Sequence, residues 1–70
     1  MIQRKSVDSS HIAAVGYDPT AQELHVEFKD GSVYSYLGVP ASLADTLSSH
    51  DSPGSFFIGR IKRQFKGTRI

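Results

Sequence analysis

The strongest structural signal in this chain is an alternating strand followed at once by a tight turn. Residues 22–28 alternate apolar and polar side chains, and the apolar ones are Leu24, Val26 and Phe28. Strict alternation is typical of a strand with one buried side and one solvent-facing side. Asp30-Gly31 follows directly, and this dipeptide is the strongest short-range hairpin signal. The pattern therefore predicts an antiparallel partner strand beginning near Val33.

The rest of the chain predicts an α+β domain built around this hairpin. Asp18-Pro19 marks a turn, Pro40 suits the first turn of a helix, and Ser52-Pro53 suits the start of another. We therefore expect a three-stranded antiparallel β-meander (about 11–17, 22–28, 33–37) packed on two short helices (about 40–49, 53–66). The helix stripes that should face the sheet consist of Leu43, Ala44 and Leu47, and of Phe57, Ile58, Ile61 and Phe65.

The length of the hairpin turn decides which face of the sheet carries Tyr34 and Tyr36. A two-residue turn would leave both rings on the solvent side. A three-residue turn over 29–31, with the glycine in the left-handed region, would pair Phe28 with Ser32 and bring both rings to the core side. A slip of one residue exchanges the two faces completely. We favour the three-residue turn, because the alternative exposes two large rings and buries a serine.

Chain length and composition limit the class of protein. Seventy residues form one small domain, 1–70, in which the polar segment 1–8 is expected to be flexible. Cysteine is absent, so disulfides and thiolate metal sites are excluded. No apolar run is long enough for a transmembrane helix, and no signal peptide is recognisable. These features predict a cytoplasmic protein without membrane contact.

Charge is distributed unevenly along the chain. Residues 1–50 contain three basic and six acidic side chains, whereas residues 51–70 contain five basic and one acidic. The whole chain would attract a polyanion only weakly, but its last twenty residues would do so strongly.

A series of motifs resembles a known family. In order they are Ile12-Ala13-Ala14-Val15-Gly16-Tyr17-Asp18, Leu24-His25-Val26-Glu27-Phe28, Gly31, Tyr34-Ser35-Tyr36 and Val39-Pro40. Together they resemble the KTSC domain, which occurs at the C-terminus of some lysyl-tRNA synthetases and as stand-alone proteins of bacteria and phages. Ser9-Ser10 and Ser52-Pro53-Gly54 before Phe56-Phe57 also fit the pattern, so the resemblance covers about residues 7–66. The chain departs from it at Ile58, where many members carry an asparagine.

The resemblance implies RNA binding only through the synthetase context, and the basic end of the chain agrees with it. We therefore predict a small non-enzymatic binding module for RNA or other single-stranded nucleic acid, in which cations contact phosphates and aromatic rings stack on bases. The candidate residues are Tyr34, Tyr36, Phe56, Arg60, Lys62, Arg63 and Lys66. The simpler interpretations are a solvated basic helix face and tyrosines that only pack in the core.

An alternative function is docking on a larger protein. The strand over residues 11–17 would then accept a partner strand at a sheet edge, or the basic helix would meet an acidic surface. A role in sequestering a small ligand is a third and weaker interpretation.

Catalysis, metal binding and cofactor binding are not expected. His11, His25 and His50 lack metal-ligand spacing, and a Ser-His-Asp triad is recognised by geometry rather than by composition. Nucleophile-elbow and phosphate-loop motifs are also lacking. Ser9, Ser10 and Ser52 are expected to act as caps and turn residues.

Overall fold

The computed structural model describes residues 4–7 and 9–70, which form an α+β fold with a five-stranded antiparallel sheet. The strands are β1 Arg4–Ser6, β2 Ile12–Asp18, β3 Glu23–Phe28, β4 Val33–Leu37 and β5 Gly67–Arg69. The helices are α1 Ala41–Ser49 and α2 Pro53–Phe57, and α2 continues into a π-helical segment, Ile58–Lys62. Strand order in the sheet follows chain order. Both helices therefore belong to the connection between β4 and β5.

The sheet has one more strand at each edge than the predicted three-stranded meander. β1 pairs with Ala14–Gly16 of β2, and β5 pairs with Tyr34–Tyr36 of β4. Both added strands have three residues and are largely exposed. They lack the apolar alternation by which a strand is recognised in a sequence, and backbone hydrogen bonds to an open sheet edge hold them instead.

The start of the chain and the edge of β2 also differ from expectation. Within the segment 1–8 that the sequence predicts to be flexible, Arg4–Ser6 forms β1, and residues 1–3 and 8 lie outside the described residues. Because β1 covers part of β2, the expectation that residues 11–17 form an open edge is wrong over Ala14–Gly16.

The second helix ends earlier than its apolar pattern predicts. Helical backbone stops at Lys62 rather than at residue 66, and the chain turns to reach the edge of β4. In a π-helical turn each hydrogen bond spans five residues instead of four, so the α-helical spacing of side chains is lost. Phe57 and Ile61 are buried at 3% and 0% exposure, but Ile58 is 47% exposed. The prediction that Ile58 faces the core is therefore wrong.

The three-residue turn between β3 and β4 is confirmed. The Phe28 N–H donates to the Ser32 carbonyl at 2.8 Å, and Gly31 has a φ of 96°. Tyr36 consequently lies opposite Leu24, and Tyr34 lies opposite Val26. Both tyrosines therefore share the face of the sheet that the helices cover.

A β-bulge in β2 explains an apolar spacing that regular alternation cannot. Ile12 and Val15 are three residues apart, yet both are buried, at 1% and 3% exposure. Ile12 pairs with Phe28 and Ala14 pairs with Glu27, so one extra residue is accommodated between them. A bulge of this kind changes the facing of the residues that follow. It lets both side chains reach the core.

The core is organised by edge-to-face aromatic contacts between the sheet and α2. The Phe57 ring lies 5.4 Å from that of Tyr36 and 5.7 Å from that of Phe28, at interplanar angles of 79° and 67°. This is the arrangement that aromatic quadrupoles prefer. Phe28 also contacts Tyr34 edge to face. Gly67 of β5 lies against the Tyr36 ring, so the backbone of β5 closes this side of the core.

Replacing Gly67 by alanine is expected to lower the free energy of unfolding by roughly 1–3 kcal/mol, the usual cost of overpacking. The added Cβ would lie 2.5 Å from a carbon of the Tyr36 ring. Gly59→Ala is the control, because a Cβ there meets no atom within 4 Å and alanine favours helix. Urea unfolding of both variants provides the measurement. Equal midpoints would contradict the close contact between β5 and Tyr36.

Candidate functional site

The predicted cations lie in and just after the π-helical segment. Arg60, Lys62, Arg63 and Lys66 are all exposed. The ion pairs among residues 4–7 and 9–70 join Arg4 to Glu27 and His25 to Glu23. Within that part of the chain, none of the four cations is therefore neutralised by a carboxylate.

These cations lie on two flanks rather than along one line. Ile61 is fully buried and marks the side of the π-helical segment that faces the core. Arg60 precedes Ile61 and Lys62 follows it, so the two cations leave the segment on either side of the buried Ile61 side chain. Lys62 approaches Phe28 across a groove, whereas Arg60 lies four residues after Phe56.

Phe56 lies beside the interhelical loop and is half-buried. Its ring centroid is 5.1 Å from that of His50, and the two planes are inclined by 31°. His50 is exposed, and its Nδ1 accepts the backbone N–H of Ser52 at 2.9 Å. The structure thus places a partly exposed aromatic pair beside the interhelical loop, with Phe56 four residues before Arg60.

The predicted tyrosine contacts with nucleic acid fit the structure poorly. Tyr36 is only 4% exposed and packs on Phe57, so its ring does not reach a ligand at the surface. Burial raises the pKa of the Tyr36 hydroxyl above its ordinary value of 10.0, and the nearby Tyr34 raises it further. Tyr34 is half-buried. Core packing therefore accounts for Tyr36, and Tyr34 lies at the margin of the core.

Two serine motifs that are distant in sequence meet in space. Ser9 and Ser10 precede β2, whereas Ser52 and Gly54 begin α2, and a Cβ on Gly54 would lie 3.3 Å from the Ser9 Oγ. The Ser9 Oγ accepts the N–H groups of His11 and Ile12, each at 3.2 Å. Ser9 is thus a turn residue, as expected. Ser52 precedes α2, but its side chain makes no capping hydrogen bond.

A groove runs between these segments and has a polar arm and an apolar arm. The polar arm has a volume of about 400 Å³, and its lining includes Ser10, Asp51, Ser52 and Ser55. The apolar arm has a volume of about 280 Å³, and its lining includes Ile12, Phe28, Phe57 and Lys62. His11, Gly54 and Ile58 line both arms, so the two are continuous.

Sequence reasoning did not predict this groove. It assigned Ile58 to the core stripe and gave His11 no role. The one signal in the sequence was that Ile58 departs from the pattern that the rest of the chain resembles. The meeting of the two serine motifs required the tertiary structure, because more than forty residues separate them.

The uncovered face of the sheet carries a compact polar network. The Glu23 Oε2 accepts hydrogen bonds from the His25 ring at 2.6 Å and from the Ser35 hydroxyl at 2.8 Å. These bonds hold the pKa of Glu23 below its ordinary value of 4.5, with the larger part from His25. Ser35 is only 7% exposed. Because its hydroxyl donates to Glu23 and not to a histidine, the arrangement is not that of an activated serine.

The described residues contain neither a candidate metal site nor a helix that could span a membrane. No group of three or more potential ligands among His, Cys, Asp and Glu could hold a metal ion within residues 4–7 and 9–70. In the same part of the chain, no helix is long and apolar enough to cross a membrane.

Comparison with known proteins identifies the family. The family model for the KTSC domain matches residues 8–65. The crystal structure of a KTSC domain protein from Yersinia pestis superimposes with a TM-score of 0.94 at 40% sequence identity, covering 100% of this chain and 99% of that one. The chain therefore belongs to the KTSC domain family.

Related sequences occur both as small proteins and within a larger enzyme. A protein from Tsukamurella paurometabola is 39% identical over 64 residues, which are 91% of this chain and 96% of the relative. A lysine–tRNA ligase from a Nostoc species is 42% identical over 59 residues, or 84% of this chain. Those residues are 10% of the ligase, so this chain spans about a tenth of that relative's length.

We expect Ser9→Ala to lower the free energy of unfolding by about 1 kcal/mol, because it leaves two backbone N–H groups without their acceptor. Ser10→Ala is the matched control, since the neighbouring Ser10 side chain is exposed. Thermal unfolding followed by circular dichroism measures both. Equal melting temperatures of the two variants would mean that the Ser9 hydroxyl does not stabilise the turn before β2.

The Glu23 network predicts a stability difference that depends on pH. A carboxylate whose pKa is lowered by folding stabilises the folded state above its ordinary pKa of 4.5 and loses this effect as the pH falls below that value. The melting temperature of Glu23→Gln should therefore be lower than that of the parent protein at pH 7. The difference between the two melting temperatures should disappear in acid. Asp45→Asn on the exposed surface of α1 is the control. A gap that stays constant from pH 7 to pH 3 would contradict the prediction.

Proposed function

We propose that this KTSC domain is a small non-enzymatic module that binds nucleic acid, and specifically RNA, through the cations near the end of the chain. One observation carries the proposal: Arg60, Lys62, Arg63 and Lys66 are exposed within a short segment and have no carboxylate partner among the described residues. Cations in this state release the counterions of a phosphate backbone on binding, which provides affinity independent of sequence.

The charge on the uncovered face of the sheet also favours binding of nucleic acid on the helical side. Among the described residues, the uncovered face carries Asp18, Glu23 and Glu27 against one cation, Arg4, which forms an ion pair with Glu27. The remaining negative charge would repel a polyanion there and favour approach from the helical side. The helical side also offers Phe56 and His50, and aromatic rings at a basic surface are a common means of holding unpaired bases.

The relatives support RNA over DNA. Lysine–tRNA ligases of three cyanobacterial species contain a segment 39–42% identical to this chain. Those enzymes are named for a reaction on tRNA, and a basic module within them would have RNA available as a ligand. The absence of catalysis is also part of the proposal.

The Arg60→Ala, Arg63→Ala double variant should bind single-stranded RNA more weakly, and its affinity should depend less on salt. Each phosphate contact on a single strand contributes about 0.7 to the slope of log K against log salt, so two lost contacts should reduce that slope by roughly 1.4. Fluorescence anisotropy of a labelled random-sequence RNA at several salt concentrations provides the measurement.

The matched control is Arg4→Ala, Lys5→Ala. It removes the same net charge from β1, at the opposite edge of the sheet from β5. An equal loss in both double variants would mean that net charge alone attracts the RNA. A parent protein that does not bind RNA at low salt would overturn the proposal and favour docking on a protein.

A further inference from the structure

The groove between the β1–β2 connection and α2 differs in chemistry from the cationic surface beside it. Its apolar arm has a volume of about 280 Å³, and its lining includes Phe28, Phe57, the exposed Ile58 and Lys62. Ligand pockets usually begin at roughly 300 Å³. The arm is therefore suited to one small flat group and not to a folded partner.

A nucleobase fits this apolar arm for physical reasons. Both faces of a base are flat and favour aromatic and apolar side chains, and this contact is independent of base identity. Ile58 is 47% exposed on a protein of only 70 residues, so water would be displaced from it when a base enters. Phe28 is half-buried and already held by edge-to-face contacts with Phe57 and Tyr34, so it is a rigid wall.

The polar arm carries groups that suit a sugar rather than a phosphate. Ser10, Ser52 and Ser55 contribute hydroxyls, and Asp51 contributes a carboxylate. A carboxylate repels phosphate but accepts hydrogen bonds from ribose hydroxyls, and the 2′-hydroxyl is the group by which proteins distinguish RNA from DNA. The two arms meet at His11, Gly54 and Ile58.

Two exposed cations lie next to the groove, where they would contact the phosphates of a bound nucleotide. Lys62 lines the apolar arm. Lys29 lines a smaller depression of about 200 Å³ that shares His11 and Phe28 with the apolar arm and also includes Ser10 and Asp30.

We infer that this groove receives one unpaired nucleotide of single-stranded RNA, with the base in the apolar arm and the ribose in the polar arm. The inference rests on the proposed function and adds to it a nucleotide-binding site and a preference for unpaired RNA. A paired base must first leave its stack, which costs energy. Single-stranded RNA should consequently bind more tightly than a duplex of the same sequence.

The test compares Ile58→Ala with Leu37→Ala. Both shorten an exposed apolar side chain without changing the net charge, and Leu37 lies on β4 at 64% exposure, outside the lining of the groove. A carboxylate at residue 58 would also weaken the phosphate contacts of the nearby Arg60 and Lys62, so Ile58→Glu is a further variant only. Circular dichroism checks that all three are folded. Anisotropy is measured with one labelled sequence as single-stranded RNA, duplex RNA and single-stranded DNA.

The expected result is that Ile58→Ala weakens single-stranded RNA binding about fivefold more than Leu37→Ala does, because the bound base loses apolar contact. Ile58→Glu should weaken it further. Binding of the duplex should be weaker than that of the single strand and should be equal in the two alanine variants.

Failure of the groove as a binding site can be distinguished from failure of the proposed function. If Arg60→Ala, Arg63→Ala weakens binding but Ile58→Ala and Leu37→Ala behave alike, the groove is not the site, although the proposed function stands. Equal affinity for single-stranded DNA and RNA would overturn the assignment of the polar arm to ribose. A parent protein that binds no RNA at low salt would overturn the inference and the proposed function together.

Discussion

The structure depends on the left-handed conformation of Gly31 in the turn between β3 and β4. This conformation makes the turn three residues long and sets the register of the two strands. With that register Tyr34 and Tyr36 face the helices, and a slip of one residue would turn both to solvent. The edge-to-face contact of Phe57 with Tyr36 exists only in this register. Together with the contact between Phe57 and Phe28, it holds α2 on the sheet and thereby shapes one wall of the groove.

The connection from β4 to β5 contributes both to the core and to the surface groove. It contains both helices and returns the chain to the sheet, where Gly67 lies against the Tyr36 ring. To make this return the helix must end by Lys62, and its last part is a π-helical turn that leaves Ile58 exposed. π-Helical turns are frequent at functional sites. The same feature that closes the sheet therefore also creates the apolar arm of the groove.

The two sides of the molecule have opposite chemical character. The uncovered sheet face holds the Glu23 network with His25 and Ser35, and its acidic groups are hydrogen-bonded. The helical side holds cations with no partner among the described residues, an aromatic pair and the groove. Domains similar to this one occur both as a small protein and as a segment of a larger enzyme.

The sequence by itself determined the central strands, both helix starts and the favoured turn, because alternation, Asp-Gly and Ser-Pro are local signals. It also supported the family, which the comparisons confirmed. The tertiary structure alone decided the edge strands, the exposure of Ile58 and the meeting of Ser9 with Gly54. Edge strands β1 and β5 are held by backbone pairing with a neighbour, which leaves no apolar pattern in the sequence. The groove depends on contacts between distant segments, and no local pattern encodes such contacts.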